Sequence, residues 1–147
     1  MKQFSFRLEP VLTYRQYLEK RAQRDVHNAR KEQKNRESRV RGLGDKRVEI
    51  AQQCTTETAQ GINVPRYRMY RSFLETLNSD LESALVSLKK GEEEIKAKVA
   101  TLKRESVGKK TLEVLRDLQR KRHLQTAENQ YQKEMDELVI LRRGIKR

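Results

Sequence analysis

The chain has 147 residues and a net charge of +13, and 37% of its residues are charged while only 35% are hydrophobic. Ordinary globular domains are about 25% charged and about 45–50% apolar. Aromatic residues make up 5% of the chain and tryptophan is absent, which argues against a thick apolar core. The apolar residues nevertheless recur at helical spacing, so the composition predicts long helices that share one narrow apolar seam rather than disorder.

A long helix is predicted to begin near Glu9 or Pro10, because proline is well tolerated in the first turn of a helix. A short extended lead-in precedes it, in which Phe4, Phe6 and Leu8 alternate with polar residues. Alternating steps of four and three residues predict the positions at which this helix packs, and several of them are polar. These positions are Val11, Arg15, Leu18, Ala22, Asp25, Ala29, Glu32, Arg36, Val40, Leu43, Arg47, Ile50 and Cys54.

The positions of glycine and proline predict where the first helix bends and where the chain turns. Gly42 and Gly44 each cost about 0.8–1.0 kcal/mol relative to alanine, so we expect a softened or bent first helix there rather than a break. The turn is predicted at residues 61–65, which begin with glycine and end with proline. The glycine can adopt the left-handed conformation that ends a helix, and the proline disfavours helical geometry in Val64, which we expect to be extended.

The second helix has a stronger apolar pattern than the first. Beyond Gly108 the apolar residues resume in a shifted phase, which predicts a stutter or a bend between Ser106 and Leu112. Before that point the same alternation of three and four residues predicts the packed positions. They are Tyr67, Tyr70, Leu74, Leu77, Leu81, Ala84, Leu88, Gly91, Ile95, Lys98 and Leu102.

Together these elements predict an all-α protein, a long antiparallel two-helix coiled-coil hairpin that forms a single domain over residues 1–147. Its arms cover about residues 10–60 and 66–145, which correspond to roughly 75 Å and 120 Å of helix. The second arm is therefore longer, and its last ~30 residues must overhang, fold back or pack elsewhere. The apolar stripe from Leu118 to Leu141 in this part of the chain is a candidate partner surface.

No group of residues resembles an active site. His27 and His123 fall on different arms, and neither is spaced with cysteine or a carboxylate as a metal ligand set. Cys54 has no sequence signature of a nucleophile, and no phosphate-binding glycine loop is present in the sequence. A two-helix hairpin also offers no concave pocket of catalytic size. We therefore predict a protein that is not an enzyme and that has no cofactor and no metal site.

The positive charge and the aromatic residues after the turn each have two interpretations. Interleaved charges along helices are usually solvated, whereas the excess favours an acidic protein, an anionic membrane face or nucleic acid as partner. Tyr67, Tyr70 and Phe73 either fill the seam where the hairpin closes or project outward as interface anchors. Arginines alternate with them, but without a known nucleic-acid-binding fold that signal is weak.

Three features favour the cytoplasm. The single cysteine cannot form an internal disulfide, which suits a reducing compartment. No apolar run approaches the roughly 18 residues needed to span a bilayer. Residues 1–7 lack the apolar region of a signal peptide. We expect a protein that stays inside the cell and meets a membrane only peripherally.

The opening of the chain resembles a known family, and the resemblance covers nearly the whole length. The run Phe-Arg-Leu-Glu-Pro-Val-Leu is similar to the start of the FliJ family, the coiled-coil component of the bacterial flagellar type III export apparatus. This run is more specific than ordinary heptad residues. The stretches that resemble the family are residues 6–12, Arg15, Glu19, 22–24, 70–77, 115–122 and 127–137.

The resemblance implies a hairpin similar to the central stalk of the rotary ATPases, which carries out no bond chemistry. Family members associate with the hexameric export ATPase, the membrane export gate and export chaperones. The resemblance therefore places the chain at the cytoplasmic face of the inner membrane, at the flagellar base. There it would promote ATPase assembly or couple hydrolysis to transport, and escort export chaperones. Two alternatives stay open: a basic coiled coil that binds nucleic acid, and the equivalent stalk of a rotary ATPase or virulence-type secretion system.

Partner-facing residues are carried over by position from the family. The end with both termini is expected to face the ATPase, and the hairpin end the gate. Ile50 and Leu77 also fall on the predicted seam, where they would pack the hairpin instead. The ATPase-side residues are Arg15, Leu18, Arg21 and Arg24, and the gate-side residues are Leu43, Ile50, Tyr70, Phe73 and Leu77.

Overall fold

The computed structural model describes residues 3–144, which form two long helices and a short connection. Helix α1 spans Glu9–Gln60 and helix α2 spans Val64–Gly144. No strand occurs within residues 3–144. The two helices pack against each other and α2 is the longer, which confirms the predicted helical hairpin. Residue 145, the predicted end of the second arm, lies outside the described residues.

The contacts divide the chain into two compact units. We call the residues up to Arg21 together with those from Lys103 onward the terminal unit, and Ala22–Leu102 the turn unit. Each contains a length of both helices. The prediction of a single domain over residues 1–147 stays a prediction.

The start of α1 agrees with the prediction. The backbone N–H of Glu9 donates to the carbonyl of Phe6 at 3.1 Å, and that of Leu12 donates to Leu8 at 2.9 Å, so the lead-in closes onto the first turn. Phe6 is 7% exposed and Leu12 is fully buried. Helix α1 continues through Gly42 and Gly44, and helix α2 continues through Gly108, so none of these glycines ends its helix.

The turn is shorter than predicted, and the expectation that Val64 is extended is wrong, because Val64 is the first residue of α2. Asn63 caps this helix: its side-chain Oδ1 accepts the backbone N–H of Arg66 at 3.0 Å. Such a cap satisfies a donor of the first turn. Pro65 lies in that turn, where a missing N–H costs nothing, so the cap outweighs the bias of the residue before proline. Gly61 has the expected left-handed conformation, with φ of 89°.

Ten of the eleven packed positions predicted for α2 are buried or half-buried, and Tyr67, 39% exposed, is the exception, whereas four of the thirteen positions predicted for α1 are exposed. In α2 the buried residues repeat every seven positions: Tyr70, Leu77, Ala84 and Gly91. In α1 three predicted positions are displaced by one residue, the first of them Val11, which is 44% exposed while Leu12 is buried, and Arg47 is exposed as well. The residues buried in α1 are Leu12, Ala22, Val26, Ala29, Gln33 and Cys54. The polar residues Asp25 and Glu32 are exposed, and Val26 and Gln33 take their places.

Candidate partner-binding surfaces

Ion pairs connect the two helices within the terminal unit. Arg15 Nη1 lies 3.3 Å from Glu105 Oε2, and Lys109 Nζ lies 2.6 Å from Glu19 Oε2. Ser106 Oγ donates a hydrogen bond of 2.7 Å to the other oxygen of Glu19. The side chains of Glu19 and Glu105 are only 12% and 15% exposed. The seam of this unit is therefore partly polar.

These contacts set the charge state of the pair. The hydrogen bonds from Lys109 and from Ser106 lower the pKa of Glu19 by more than burial raises it. The hydrogen bond between Lys109 and Glu19 also raises the pKa of Lys109. The carboxylate and the ammonium thus stabilise each other's charged form.

The four residues expected on the ATPase side have different surroundings. Arg15 is held by Glu105, and Leu18 is half-buried. Arg21 and Arg24 are exposed, but Arg24 belongs to the turn unit. Within the terminal unit the structure therefore leaves Arg21 as the most available of the predicted contacts.

Two tyrosines beside Arg21 were missed by the sequence reasoning. Tyr14 is 59% exposed and Tyr17 is 53% exposed. Residues 14, 17 and 21 lie on one face of a helix because they are three and four positions apart. We call Tyr14, Tyr17 and Arg21 the tyrosine face. The sequence could have indicated these residues, because their spacing of three and four positions places them on the face of α1 opposite its buried residues.

The five residues expected on the gate side lie in the turn unit, and only one of them is exposed. Tyr70 and Leu77 are 8% and 4% exposed, and Leu43 and Ile50 are half-buried. Phe73 is 38% exposed. Of the two interpretations of the aromatic residues after the turn, burial favours seam packing for Tyr70 and an outward position for Phe73.

Phe73 has a cation and a second apolar side chain as neighbours. Lys46 Nζ lies 5.7 Å from the centroid of the Phe73 ring, within the range of a cation–π interaction. Met69 precedes Phe73 by four residues, one turn along the same face, and is 60% exposed. We call Phe73, Met69 and Lys46 the phenylalanine patch. It combines apolar area with positive charge.

A polar cluster joins the two helices beside the turn. Arg66 Nε lies 2.7 Å from Glu57 Oε2, and the Tyr70 hydroxyl donates to Glu57 Oε1 at 2.9 Å. The hydrogen bonds from Arg66 and then Tyr70 lower the pKa of Glu57, and the bond to Glu57 raises the pKa of Tyr70. The cluster ties the last turns of α1 to the first turns of α2, close in sequence to the phenylalanine patch.

Gln33 and Gly91 meet inside the turn unit. Gln33 is 6% exposed, and its Nε2 donates to the carbonyl of Leu88 at 2.9 Å, while its Oε1 has no hydrogen-bond partner among residues 3–144. A Cβ atom at Gly91 would collide with the Gln33 side chain. Glycine therefore makes room for a buried amide at a seam position.

The C-terminal part of α2 has an exposed apolar stripe. All residues from 128 to 144 are exposed. Its large apolar side chains follow helical spacing, as the sequence predicted, and a partner role for them stays a prediction. They are Leu124 (59% exposed), Tyr131 (60%), Met135 (43%), Leu138 (56%) and Leu141 (62%).

Neither a metal site nor a membrane span is found in the described part of the chain. Within residues 3–144 there is no group of three potential metal ligands among the histidine, cysteine and acidic side chains. His123 instead packs its ring 5.7 Å from that of Phe4. Neither helix, as described, combines the length and apolarity that crossing a membrane requires.

Comparison with known protein families gives a match over nearly the whole chain. A protein-family model described as flagellar FliJ protein matches residues 4–145. No curated protein sequence and no solved structure matches the chain significantly.

Proposed function

The chain belongs to the FliJ family of flagellar export components, and we propose that it is a stalk whose terminal unit binds the export ATPase and whose turn unit binds the export gate. Members of this family are non-enzymatic parts of the flagellar export apparatus. The proposal includes a position at the cytoplasmic face of the inner membrane, and export chaperones as further partners. The observation that carries it is the tyrosine face, an exposed aromatic surface on an otherwise charged helix.

The tyrosine face has the composition of an interface anchor. Tyrosine and arginine are enriched among residues that contribute most to protein binding. Tyr14 and Tyr17 are each more than half exposed, although neither is needed to close the hairpin. Arg21 adds a planar guanidinium group suited to bidentate contact with a carboxylate on the partner. This face replaces Arg15 as the centre of the proposed ATPase contact, because Arg15 is already paired with Glu105.

The phenylalanine patch is the proposed gate contact. Phe73 supplies apolar area and Lys46 supplies positive charge beside it. The predicted contacts Tyr70 and Leu77 are buried, so their proposed role is to hold in place the helix that carries Phe73. Leu43 and Ile50 are half-buried and can contribute only their exposed edges.

The ATPase contact is tested with the purified export ATPase. Addition of the full chain is expected to raise ATP hydrolysis and to promote ring assembly, measured by phosphate release and by mass photometry. The double variant Tyr17→Ala/Arg21→Ala removes the anchor and should lower apparent affinity by at least roughly tenfold, since hot-spot residues contribute 2 kcal/mol or more.

Val107→Ala/Lys110→Ala is the matched control, because both residues are exposed on α2 of the same unit. It should behave as the unmodified chain. Equal loss in both variants, or no effect of the unmodified chain on the ATPase, would count against the proposal.

For the gate, Phe73→Ala should weaken binding of the gate's cytoplasmic domain while circular dichroism and the unfolding midpoint stay unchanged.

A further inference from the structure

The outer face of α1 in the turn unit carries cations and no acidic residue. Because Val26, Ala29 and Gln33 form the buried side of this stretch, the positions on the opposite side recur every three to four residues. From Arg24 to Arg41 the side chains at these outer positions are all exposed, and none of them is acidic or apolar. They are Arg24, His27, Asn28, Lys31, Lys34, Asn35, Ser38 and Arg41.

Four of these residues, Arg24, Lys31, Lys34 and Arg41, form what we call the basic stripe. None of the four makes an ion pair within residues 3–144. The outer positions of α2 over residues 75–100 instead carry both signs of charge, on Glu75, Glu82, Lys89, Lys90, Glu93 and Lys96. The one-sided positive charge of α1 therefore indicates an anionic partner on that side.

We propose that the basic stripe binds an anionic phospholipid bilayer, with this part of α1 lying along the membrane surface. A plane that touches a helix meets it along a line parallel to the helix axis, and the basic stripe follows such a line for about 25 Å. All four cations can therefore reach anionic head groups at the same time, and clustered cations of this kind are attracted to acidic lipids. Since no apolar side chain lies among them, the helix adsorbs to the head groups without inserting.

The same features argue against the other anionic partners. Proteins that bind single-stranded nucleic acid stack its bases on aromatic side chains, and the outer face between Arg24 and Arg41 has none. On a duplex, a line parallel to the axis crosses each strand only once in a turn of about 34 Å, so the basic stripe would meet phosphates at few points. Protein interfaces are centred on aromatic and apolar anchors, which this face also lacks.

Lipid vesicles test the proposal with the full chain. The chain should sediment at low salt with vesicles of equal parts phosphatidylcholine and phosphatidylglycerol, and not with vesicles of phosphatidylcholine alone. Binding should weaken as salt is added, because salt screens exposed charges. The assay contains neither the ATPase nor the gate, so its outcome is independent of the proposed protein contacts.

A double variant assigns the binding to the basic stripe. Lys31→Gln/Lys34→Gln should lower the partition coefficient on the mixed vesicles by roughly tenfold to thirtyfold. Lys89→Gln/Lys90→Gln is the matched control, because it makes the same change of charge at exposed outer positions of α2 in the same unit. These positions lie across the width of two helices, about 20 Å, which exceeds the screening length of about 10 Å. The control should bind as the unmodified chain does.

Three outcomes would overturn the proposal. The first is no binding of the unmodified chain to the mixed vesicles at low salt. The second is the same loss in both double variants, which would make net charge the cause. The third is binding to a DNA duplex and not to the vesicles, which would assign the basic stripe to nucleic acid.

Fluorescent labels test which side of the hairpin meets the membrane, in a Cys54→Ala background. A label at Ser38→Cys lies within the basic stripe, and a label at Val86→Cys lies on the outer side of α2. Quenchers attached to the lipid head groups should quench the label at residue 38 strongly and the label at residue 86 weakly. Equal quenching of the two labels, or the reverse order, would contradict the proposed orientation.

Discussion

The terminal unit and the turn unit join the same two helices with different chemistry. In the terminal unit the contacts between helices include Glu19 with Lys109 and Arg15 with Glu105. In the turn unit Leu77, Ala84 and Gly91 are buried at successive seven-residue intervals, and the ion pairs between the helices, Arg36 with Glu94 and Arg66 with Glu57, involve more exposed side chains, 30–57% exposed. Apolar burial and close packing depend little on salt or pH, whereas ion pairs depend on both. We therefore expect the two units to respond differently to the same perturbation.

The largest expected effect comes from a truncation in the apolar seam. Leu77 is 4% exposed, so Leu77→Ala removes buried methyl groups and leaves a cavity. The free energy of unfolding should fall by about 2–5 kcal/mol, measured by urea denaturation. The loss should be the same in low and high salt, because no charge is involved.

Val86→Ala is the matched control on α2 in the same unit. Val86 is 55% exposed, so its truncation should change the free energy of unfolding by no more than about 0.5 kcal/mol. A loss for Leu77→Ala as small as that of the control would contradict the view that the turn unit is held by apolar packing.

A smaller loss of stability is expected from a substitution at Gly91, beside the buried side-chain amide of Gln33 in the turn unit. A methyl group at Gly91 would collide with Gln33, which is held by its bond to Leu88. Gly91→Ala should therefore destabilise by about 1–3 kcal/mol, as overpacking does, although alanine normally favours a helix. Thermal unfolding of the full chain measures this loss.

Gly42→Ala separates overpacking from helix propensity, because among residues 3–144 no atom beyond the neighbouring residues and backbone of the same helix lies within 4 Å of a Cβ at Gly42. This variant should stabilise the chain by up to about 1 kcal/mol through helix propensity alone. If Gly91→Ala also stabilised the chain, the close approach of Gln33 would not matter to the fold.

The same contrast explains what the sequence could predict. The packed face of α2 was predictable because apolar and small residues such as Leu77 and Ala84 recur there without competition. The phase of α1 was not, since Val11 and Leu12 are adjacent apolar residues and either can begin the seam. Glu19 and Gln33 then lie at the seam although their residue types predict solvent. Polar seam positions are defined by their partners on the other helix, which one sequence alone does not identify.

The candidate surfaces show a similar limit. The exposure of the stripe toward Leu141 was predictable because the second helix is longer than the first, and residues 128–144 are exposed. Tyr14 and Tyr17 were not recognised, because their role depends on which face of α1 is turned away from α2. The helical cap at Asn63 likewise depends on the backbone of Arg66, and it outweighs the local preference of Val64.

The smallest expected effect is on the pH dependence of stability in the terminal unit. The pKa of Glu19 is lowered in the folded chain from its usual value of 4.5 by the hydrogen bonds from Lys109 and Ser106. A carboxyl group whose pKa is lower when folded stabilises the fold above its unfolded pKa, and this contribution is lost as the pH falls through the folded value. Glu19→Gln should therefore flatten the decline of stability below about pH 4.5. Hydrogen exchange should show a loss of amide protection around Glu19 in the unmodified chain as the pH falls, and a smaller pH-dependent loss there in the variant. Parallel acid profiles for the two chains would show that Glu19 contributes nothing to the seam. With Leu77→Ala, by contrast, the loss should persist over the whole pH range, since no titrating group is removed.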